Sequence, residues 1–382
     1  MRFEFATATR VIFGSGTLVE AAKEAHGLGR KALVVTGKTP ERASKLIDNL
    51  TRQGLQVTLF SVPGEPTVDM ALAGVEAART ANCDLVIGLG GGSVLDAGKA
   101  IAALLTNPGE ALDYLEVVGK GQALTQAPAP YIAIPTTAGT GSEVTRNAVL
   151  AVPEQQVKVS LRSPRMLPRL ALVDPELTYG LDPATTATTG LDALTQLIEP
   201  FLSNAANPLT DALCRDGIRR AARSLRTAYE NGDNPQARED MALASLFGGL
   251  ALANAKLGGV HGLAGPLGGR FPAPHGALCA RLLPLALETN LRAMKERAPL
   301  AAGRFAEVAQ LLIGEANAQA AEGIAWLKEL TAALKIPPLA AYGIKKADFP
   351  EIIAQAQKAS SMQGNPIKLN EAELTTILEQ AL

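Results

Sequence analysis

Apolar and polar positions change their period once along the chain. Over the first 175 residues short apolar, β-branched runs recur at 10–13, 32–36, 57–60, 85–88 and 131–134. Stretches with helical spacing lie between most of them. Ala43, Leu46, Ile47 and Leu50 fall at i, i+3, i+4 and i+7, and Val68, Leu72 and Val75 repeat part of that pattern. Strands alternating with helices predict βαβ units and a parallel sheet. The strands are nearly continuous apolar runs, which fits a sheet covered on both faces.

The alternation stops near Leu172-Val-Asp-Pro175. Beyond Asp182 the spacing predicts helices over residues 184–201, 209–230, 234–255, 283–295, an interrupted 303–335, and 371–382. The expected architecture is an α/β N-terminal domain with a parallel Rossmann-like sheet, residues 1–178, followed by an all-α domain, residues 179–382.

Composition narrows the function classes. With 382 residues and 47% apolar content, both domains have material for a core. A formal charge of −1 provides no strongly basic face, which argues against a nucleic-acid partner. No apolar run approaches the ~18 residues that span a bilayer. The opening Met1-Arg-Phe-Glu-Phe5 lacks a signal peptide's apolar stretch. Cys83, Cys214 and Cys279 form no CxxC pair and are odd in number. They read as reduced thiols in a cytoplasmic protein, each a small buried apolar residue.

Two turns carry candidate chemistry. Gly88-Leu-Gly-Gly-Gly-Ser93 follows a strand, and a helix pattern opens at Val94. Glycines there let backbone approach a ligand, and the next helix's N–H groups and dipole favour a phosphate. Ser93 with Asp96 matches a capping box that would set the helix start. The second turn, Pro135-Thr-Thr-Ala-Gly-Thr-Gly-Ser-Glu143, mixes hydroxyls with glycine after another strand. Both lie at carboxyl ends of strands, the edge where open α/β sheets bind ligands.

Together these segments resemble the iron-containing (group III) alcohol dehydrogenase family. The matching stretches are residues 90–99, 135–145, 171–178, 189–194 and 266–276, in family order. The resemblance implies that Gly91, Gly92 and Ser93 hold a dinucleotide's pyrophosphate. Thr136, Thr137 and Thr140 would lie along the ribose and nicotinamide, and Lys158 would reach the cofactor ribose. Where NAD-preferring members often carry Asp after the second strand, this chain reads Val35-Thr36-Gly37-Lys38. Gly37 leaves room, and Lys38 or Arg42 could pair with a 2′-phosphate, so the expectation is NADP, with NAD the alternative.

Metal-binding members use an Asp, a His four residues on, and two more His fourteen apart. Here Asp192 is followed by Gln196, while His261 and His275 keep the spacing. A further family histidine is replaced by Gly265. Asp192, Gln196, His261 and His275 would then hold Fe or Zn more weakly than the family's set of one Asp and three His, or the metal is lost. His261 or His275 would then act as the hydrogen-bond or proton donor.

The expected activity is hydride transfer between a nicotinamide and a small alcohol or carbonyl substrate, and the resemblance implies a homodimer paired through residues 3–13. Three alternatives stand beside it. One is a metal-independent maleylacetate-type reductase, with Arg146 and Arg270 as carboxylate partners. The others are an NAD-using lyase like dehydroquinate synthase and a non-catalytic nucleotide sensor.

Overall fold

The computed structural model describes residues 2–299 and 302–382. Its strands are β1 (Val11–Phe13), β2 (Lys31–Thr36), β3 (Gln56–Ser61), β4 (Leu85–Gly90), β5 (Tyr131–Pro135), β6 (Asn147–Val152), β7 (Val157–Arg162) and β8 (Leu170–Val173). Six form one sheet in the order β1-β8-β5-β4-β2-β3, every neighbouring pair parallel, and β6 and β7 form an antiparallel hairpin.

The helices of this half are α1 (Ala21–His26), α2 (Ser44–Arg52), α3 (Val68–Thr80), α4 (Gly92–Thr106) and α5 (Ala111–Tyr114). Successive strand residues point to opposite faces, which divides each apolar run between two cores. Leu33, Val35, Val86 and Ala133 pack with Ala71 and Val75 of α3 and Ile101 of α4. Ala32, Val34, Ile87, Ile132 and Ile134 pack with Ala25 of α1 and Leu46 and Leu50 of α2. The inner strands β2, β4, β5 and β8 are apolar along almost their whole length because neither face meets water, whereas the edge strands β1 and β3 are partly exposed.

β2 pairs with β3 on one side and β4 on the other, so the winding direction reverses between β2 and β4. The carboxyl ends of these two strands release Gly37 and Gly91. Ligands of open α/β sheets bind at such a switch point.

The described chain divides into two units. One comprises Ala6–Thr137 and Gly141–Thr178; the other comprises residues 2–5, Ala138–Thr140 and the described part of Tyr179–Leu382. The second unit holds α6 (Pro183–Leu202), α7 (Pro208–Glu230), α8 (Pro235–Asn254), α9 (Gly259–Arg270), α10 (His275–Arg297), α11 (Gly303–Ile313), α12 (Ala320–Ala333), α13 (Phe349–Lys358) and α14 (Glu371–Ala381). Asp182 caps α6 by accepting from Thr185 N at 2.8 Å, with Pro183 in the first turn. Leu191, Leu194 and Ile198 of α6 share a core with Leu263 and Leu267 of α9 and Leu278 and Leu282 of α10.

The expected interruption and two departures from the spacing-based reading have physical causes. α11 ends at Gly314, whose φ of 85° is left-handed, which supplies the interruption expected within 303–335. α10 starts at His275 rather than at residue 283, immediately after Pro274. α9 was not expected because it contains five glycines and a proline. It forms because remote side chains take its first N–H groups. Gly259 N donates to Asn365 Oδ1 at 3.0 Å, and Val260 N donates to Glu199 Oε1 at 2.7 Å. No single described helix is long and apolar enough to cross a membrane.

Candidate active site

Asp192, Gln196 and Glu199 stand at i, i+4 and i+7 on α6 and so share one face. All three are buried. Burying polar groups on an apolar helix is costly unless they find partners. Those partners come from the ends of α9 and α10. His261 lies in the first turn of α9 and His275 opens α10. Asp192 Oδ1 is 3.5 Å from His261 Nε2 and 3.8 Å from His275 Nε2.

Each of the other two polar residues on the face has its own task. Glu199 Oε2 lies 2.6 Å from His261 Nδ1, and the carboxylate there fixes Nδ1 as the protonated nitrogen. Nε2 is thereby left facing Asp192. Gln196 Nε2 donates to Asp192 Oδ2 at 2.9 Å and to Gly139 O at 3.3 Å. Turned over, the amide would set oxygen against those two oxygens, so this orientation is dictated chemically.

Two buried acceptors, Asp192 Oδ1 and Gln196 Oε1, have no hydrogen-bond partner. Cys279, four residues after His275 on the same face of α10, places its sulfur 3.6 Å from His275 Nε2 and 3.8 Å from His261 Nε2. Ligand atoms of Asp192, His261, His275 and Cys279 all lie within 4.8 Å of one another. A carboxylate, two imidazoles and a thiol around one point, with an orphaned carboxylate oxygen among them, fit a divalent metal ion. The expectation that Cys279 is merely a small apolar residue is therefore corrected: it is buried, and its sulfur meets two imidazoles.

The electrostatics agree with the geometry. Burial works to raise Asp192, but His275, His261 and the Gln196 hydrogen bond outweigh it and hold its carboxyl below the usual range. His275 is pushed up to about 9, first by the neighbouring Cys279 sulfur and then by Asp192, against burial and His261. For His261, burial opposes the charge, yet Cys279, Asp192 and Glu199 carry it well above the ordinary imidazole value. The cluster concentrates electron-rich donors and calls for positive charge at its centre.

The nucleotide-side candidates gather elsewhere. α4 begins at Gly92 with Gly91 as its cap residue and no side-chain cap. The predicted Ser93–Asp96 capping box does not form. Ser93 sits inside the helix, and Asp96 instead accepts from Val149 N at 3.0 Å and from the Ser142 hydroxyl. Gly91 has a φ of −74°, which any residue adopts, and an added Cβ would meet only Thr137, at 3.3 and 3.4 Å. The backbone does not demand glycine there, and a methyl would press only on the Thr137 side chain. A bare surface over free helix N–H groups fits a dinucleotide phosphate.

The β5 turn lies alongside: Gly90 pairs with Pro135, and Thr136 N donates to Gly90 O at 2.9 Å. Thr136 and Thr137 are half-buried there, and Thr140 belongs to the helical unit. Gly37 follows β2, where a Cβ would be in ordinary contact with Val94 at 3.7 Å, and Lys38 is exposed. Lys158, on β7, is engaged with Glu65 at 3.1 Å.

Two family models cover this chain: iron-containing alcohol dehydrogenase over residues 8–175, and the C-terminal model of the Fe-containing alcohol dehydrogenase family over residues 186–382. The chain belongs to the iron-containing alcohol dehydrogenase family. It is 38% identical to 1,3-propanediol dehydrogenase of Klebsiella pneumoniae, across 99% of this chain and 98% of that protein. It is 37% identical to alcohol dehydrogenase 4 of Schizosaccharomyces pombe, across 97% and 87%. A crystal structure of 1,3-propanediol oxidoreductase superposes with a TM-score of 0.93 at 37% identity over the whole of both chains. This iron-containing alcohol dehydrogenase is thus an oxidoreductase of a family that uses NAD(P) and a divalent metal.

Glu199 and Cys279 were missed as functional residues from the sequence. Their signals were present: an acid seven residues after Asp192, and a thiol four residues after His275. Gly265, where the resemblance implies a histidine, is exposed, and a Cβ there would meet nothing within 4 Å. Arg270, one carboxylate partner considered for a maleylacetate-type reaction, is engaged by Asp348 at 3.6 Å and by Glu351.

Proposed function

We propose that this enzyme interconverts a primary alcohol and its aldehyde by hydride exchange with NADP(H), or NAD(H), at Asp192, His261 and His275. The observation that carries this reading is the convergence of one carboxylate oxygen and two imidazole nitrogens on a common point. Relatives are named for 1,3-propanediol, choline, 4-hydroxybutyrate and long-chain alcohols. These compounds share a primary hydroxyl, which supports the substrate class.

A divalent ion, Fe or Zn, held by Asp192, His261 and His275 would act as a Lewis acid on the substrate oxygen. The chain's own residues position everything else. Glu199 fixes the tautomer and angle of His261, and Gln196 holds the second oxygen of Asp192. Gly91, Gly92 and Ser93 bind the pyrophosphate at the start of α4. Thr136, Thr137 and Thr140 line the ribose and nicotinamide. Lys158 exchanges Glu65 for a cofactor hydroxyl, and Gly37 with Lys38 admits a 2′-phosphate.

A metal-independent reduction is the second reading. It is favoured by the access to His275, whose side chain is 38% exposed against 7% for His261. In that case His275 donates a proton to the carbonyl oxygen as hydride reaches the carbon.

Aldehyde-dependent oxidation of NADPH and NADH, with and without chelator, separates these readings. Loss on chelation and recovery with Zn²⁺ or Fe²⁺ supports the metal-assisted reading, and unchanged turnover supports the second. His261→Ala should lower turnover far more than it weakens cofactor binding; equal losses count against its place at the reaction. The edge strand β1 and three unpaired thiols support a homodimer working in the cytoplasm, checked by light scattering and fractionation.

A further inference from the structure

The metal cluster departs from the pattern of its family in one donor, and the departure has a replacement within reach. Gln196 stands in the second ligand position, but its amide nitrogen is committed to Asp192 Oδ2 and Gly139 O. Its Oε1 is left without a partner, but a neutral amide oxygen is a harder, weaker donor to zinc than a thiolate. Cys279 Sγ, by contrast, is 3.6 Å from His275 Nε2 and 3.8 Å from His261 Nε2. With Zn–N of about 2.0–2.1 Å and Zn–S of about 2.3 Å, tetrahedral edges come to about 3.3 Å between N or O donors and about 3.6 Å between S and N. The two carboxylate–imidazole separations, 3.5 and 3.8 Å, lie within a few tenths of an ångström to half an ångström of those edges. The two sulfur–imidazole separations lie closer still.

A second observation points to a ligand at the same place. Asp192 Oδ1 is buried and unpartnered, although its residue is only 1% exposed. Cys279 is itself fully buried, and its i, i+4 relation to His275 puts both on one face of α10.

We propose that the Cys279 thiolate is the fourth protein ligand, so that the site is Asp192, His261, His275 and Cys279 and prefers zinc over iron(II). The proposal rests on the reading that this cluster holds a divalent ion. On ligation the S–H bond breaks, the S–metal bond forms and the proton leaves to solvent. A thiolate is a soft donor and shifts an otherwise nitrogen and oxygen site towards zinc.

Chelator-treated wild-type protein is titrated with Co²⁺ as the spectroscopic probe, and then with Zn²⁺ and Fe²⁺ anaerobically. The expected result is a thiolate-to-cobalt charge-transfer band in the near ultraviolet, absent in Cys279→Ser and retained in Cys83→Ser and Cys214→Ser. Zinc affinity in Cys279→Ser should fall by more than the roughly 10–100-fold that loss of an outer-shell partner costs. Iron(II) affinity should fall less, and Gln196→Leu should weaken zinc less than Cys279→Ser does. The wild-type spectrum alone decides the matter if the serine variant does not fold. Cobalt uptake without the charge-transfer band overturns this proposal and leaves the metal reading standing. No uptake of any of the three ions overturns both.

Discussion

Glu199 grips His261 and the start of α9 at once: one carboxylate oxygen lies 2.6 Å from His261 Nδ1, and the other accepts the Val260 N–H at 2.7 Å. The same side chain therefore begins the helix that carries the imidazole and sets the direction in which that imidazole points. Gly258 is needed beside it, because a Cβ there would come within 2.9 Å of Glu199 Oε1.

Glu199→Ala should weaken Zn²⁺ binding roughly 10–100-fold, the cost typical of losing a carboxylate behind a ligating histidine. Glu199→Gln, which still accepts from Nδ1, should fall between the variant and wild type. Competition titration against a chromophoric chelator measures both. An alanine variant with wild-type affinity would show that the imidazole needs no such support.

Two glycines of the β4–α4 region should respond differently to alanine. At Gly91 the new methyl meets only Thr137, at 3.3 and 3.4 Å, so Tm should barely move while NAD(P)H binding weakens. At Gly88 it collides with the Tyr131 hydroxyl, which donates to Leu95 O at 3.0 Å. Gly88→Ala should cost about 1–3 kcal/mol, as overpacking of a filled core does. Fluorescence titration and thermal melts separate the two effects.

Glu143 gives stability a defined pH dependence. Burial raises its carboxyl from 4.5 to about 7, although Lys99 pulls it down. A carboxyl raised on folding stabilises the fold while it is protonated, so this contribution is complete below 4.5 and is lost as pH rises through about 7. The loss amounts to at most roughly 3–4 kcal/mol, at about 1.4 kcal/mol per pH unit. Glu143→Gln should gain on wild type in Tm as the buffer moves from pH 5 to pH 8. A constant difference across that range would refute the assignment.

Cofactor preference should turn on Lys38. Losing a charge-assisted contact to a 2′-phosphate costs about 1.5–3 kcal/mol, so Lys38→Ala should weaken NADPH about tenfold or more. NADH binding should be unchanged, and Gly37→Asp should tilt the ratio further towards NADH. Equal effects on the two cofactors would place Lys38 away from the phosphate.

The sequence disclosed the sheet because buried parallel strands are written as apolar runs. The family resemblance pointed to Asp192, His261 and His275, and the fold brings their donor atoms within 4.8 Å of one another. α9 stayed hidden, since its glycines argue against a helix and its caps, Asn365 and Glu199, are remote in sequence. The Ser93–Asp96 pair misled for a related reason. Asp96 has stronger partners in Ser142 and Val149, and Lys99 beside it donates to Ser142 O at 2.8 Å and Asn147 O at 2.7 Å. A local motif loses to tertiary partners when burial makes those partners worth more. Cys279 escaped notice because a thiol's role depends on what stands opposite it, which only the fold of α9 against α10 supplies.

Asp192, Gln196 and Glu199 are rungs of one ladder on α6. Each residue inserted into that helix turns everything beyond it by about 100°, so one inserted between Asp192 and Gln196 would swing the amide and the second acid off the shared face together. Evolution can exchange a rung, as Gln196 shows, but it cannot shift the ladder. Length changes in this family should therefore fall outside residues 192–199, and designers seeking new specificity have more freedom at Gly265 than anywhere along that span.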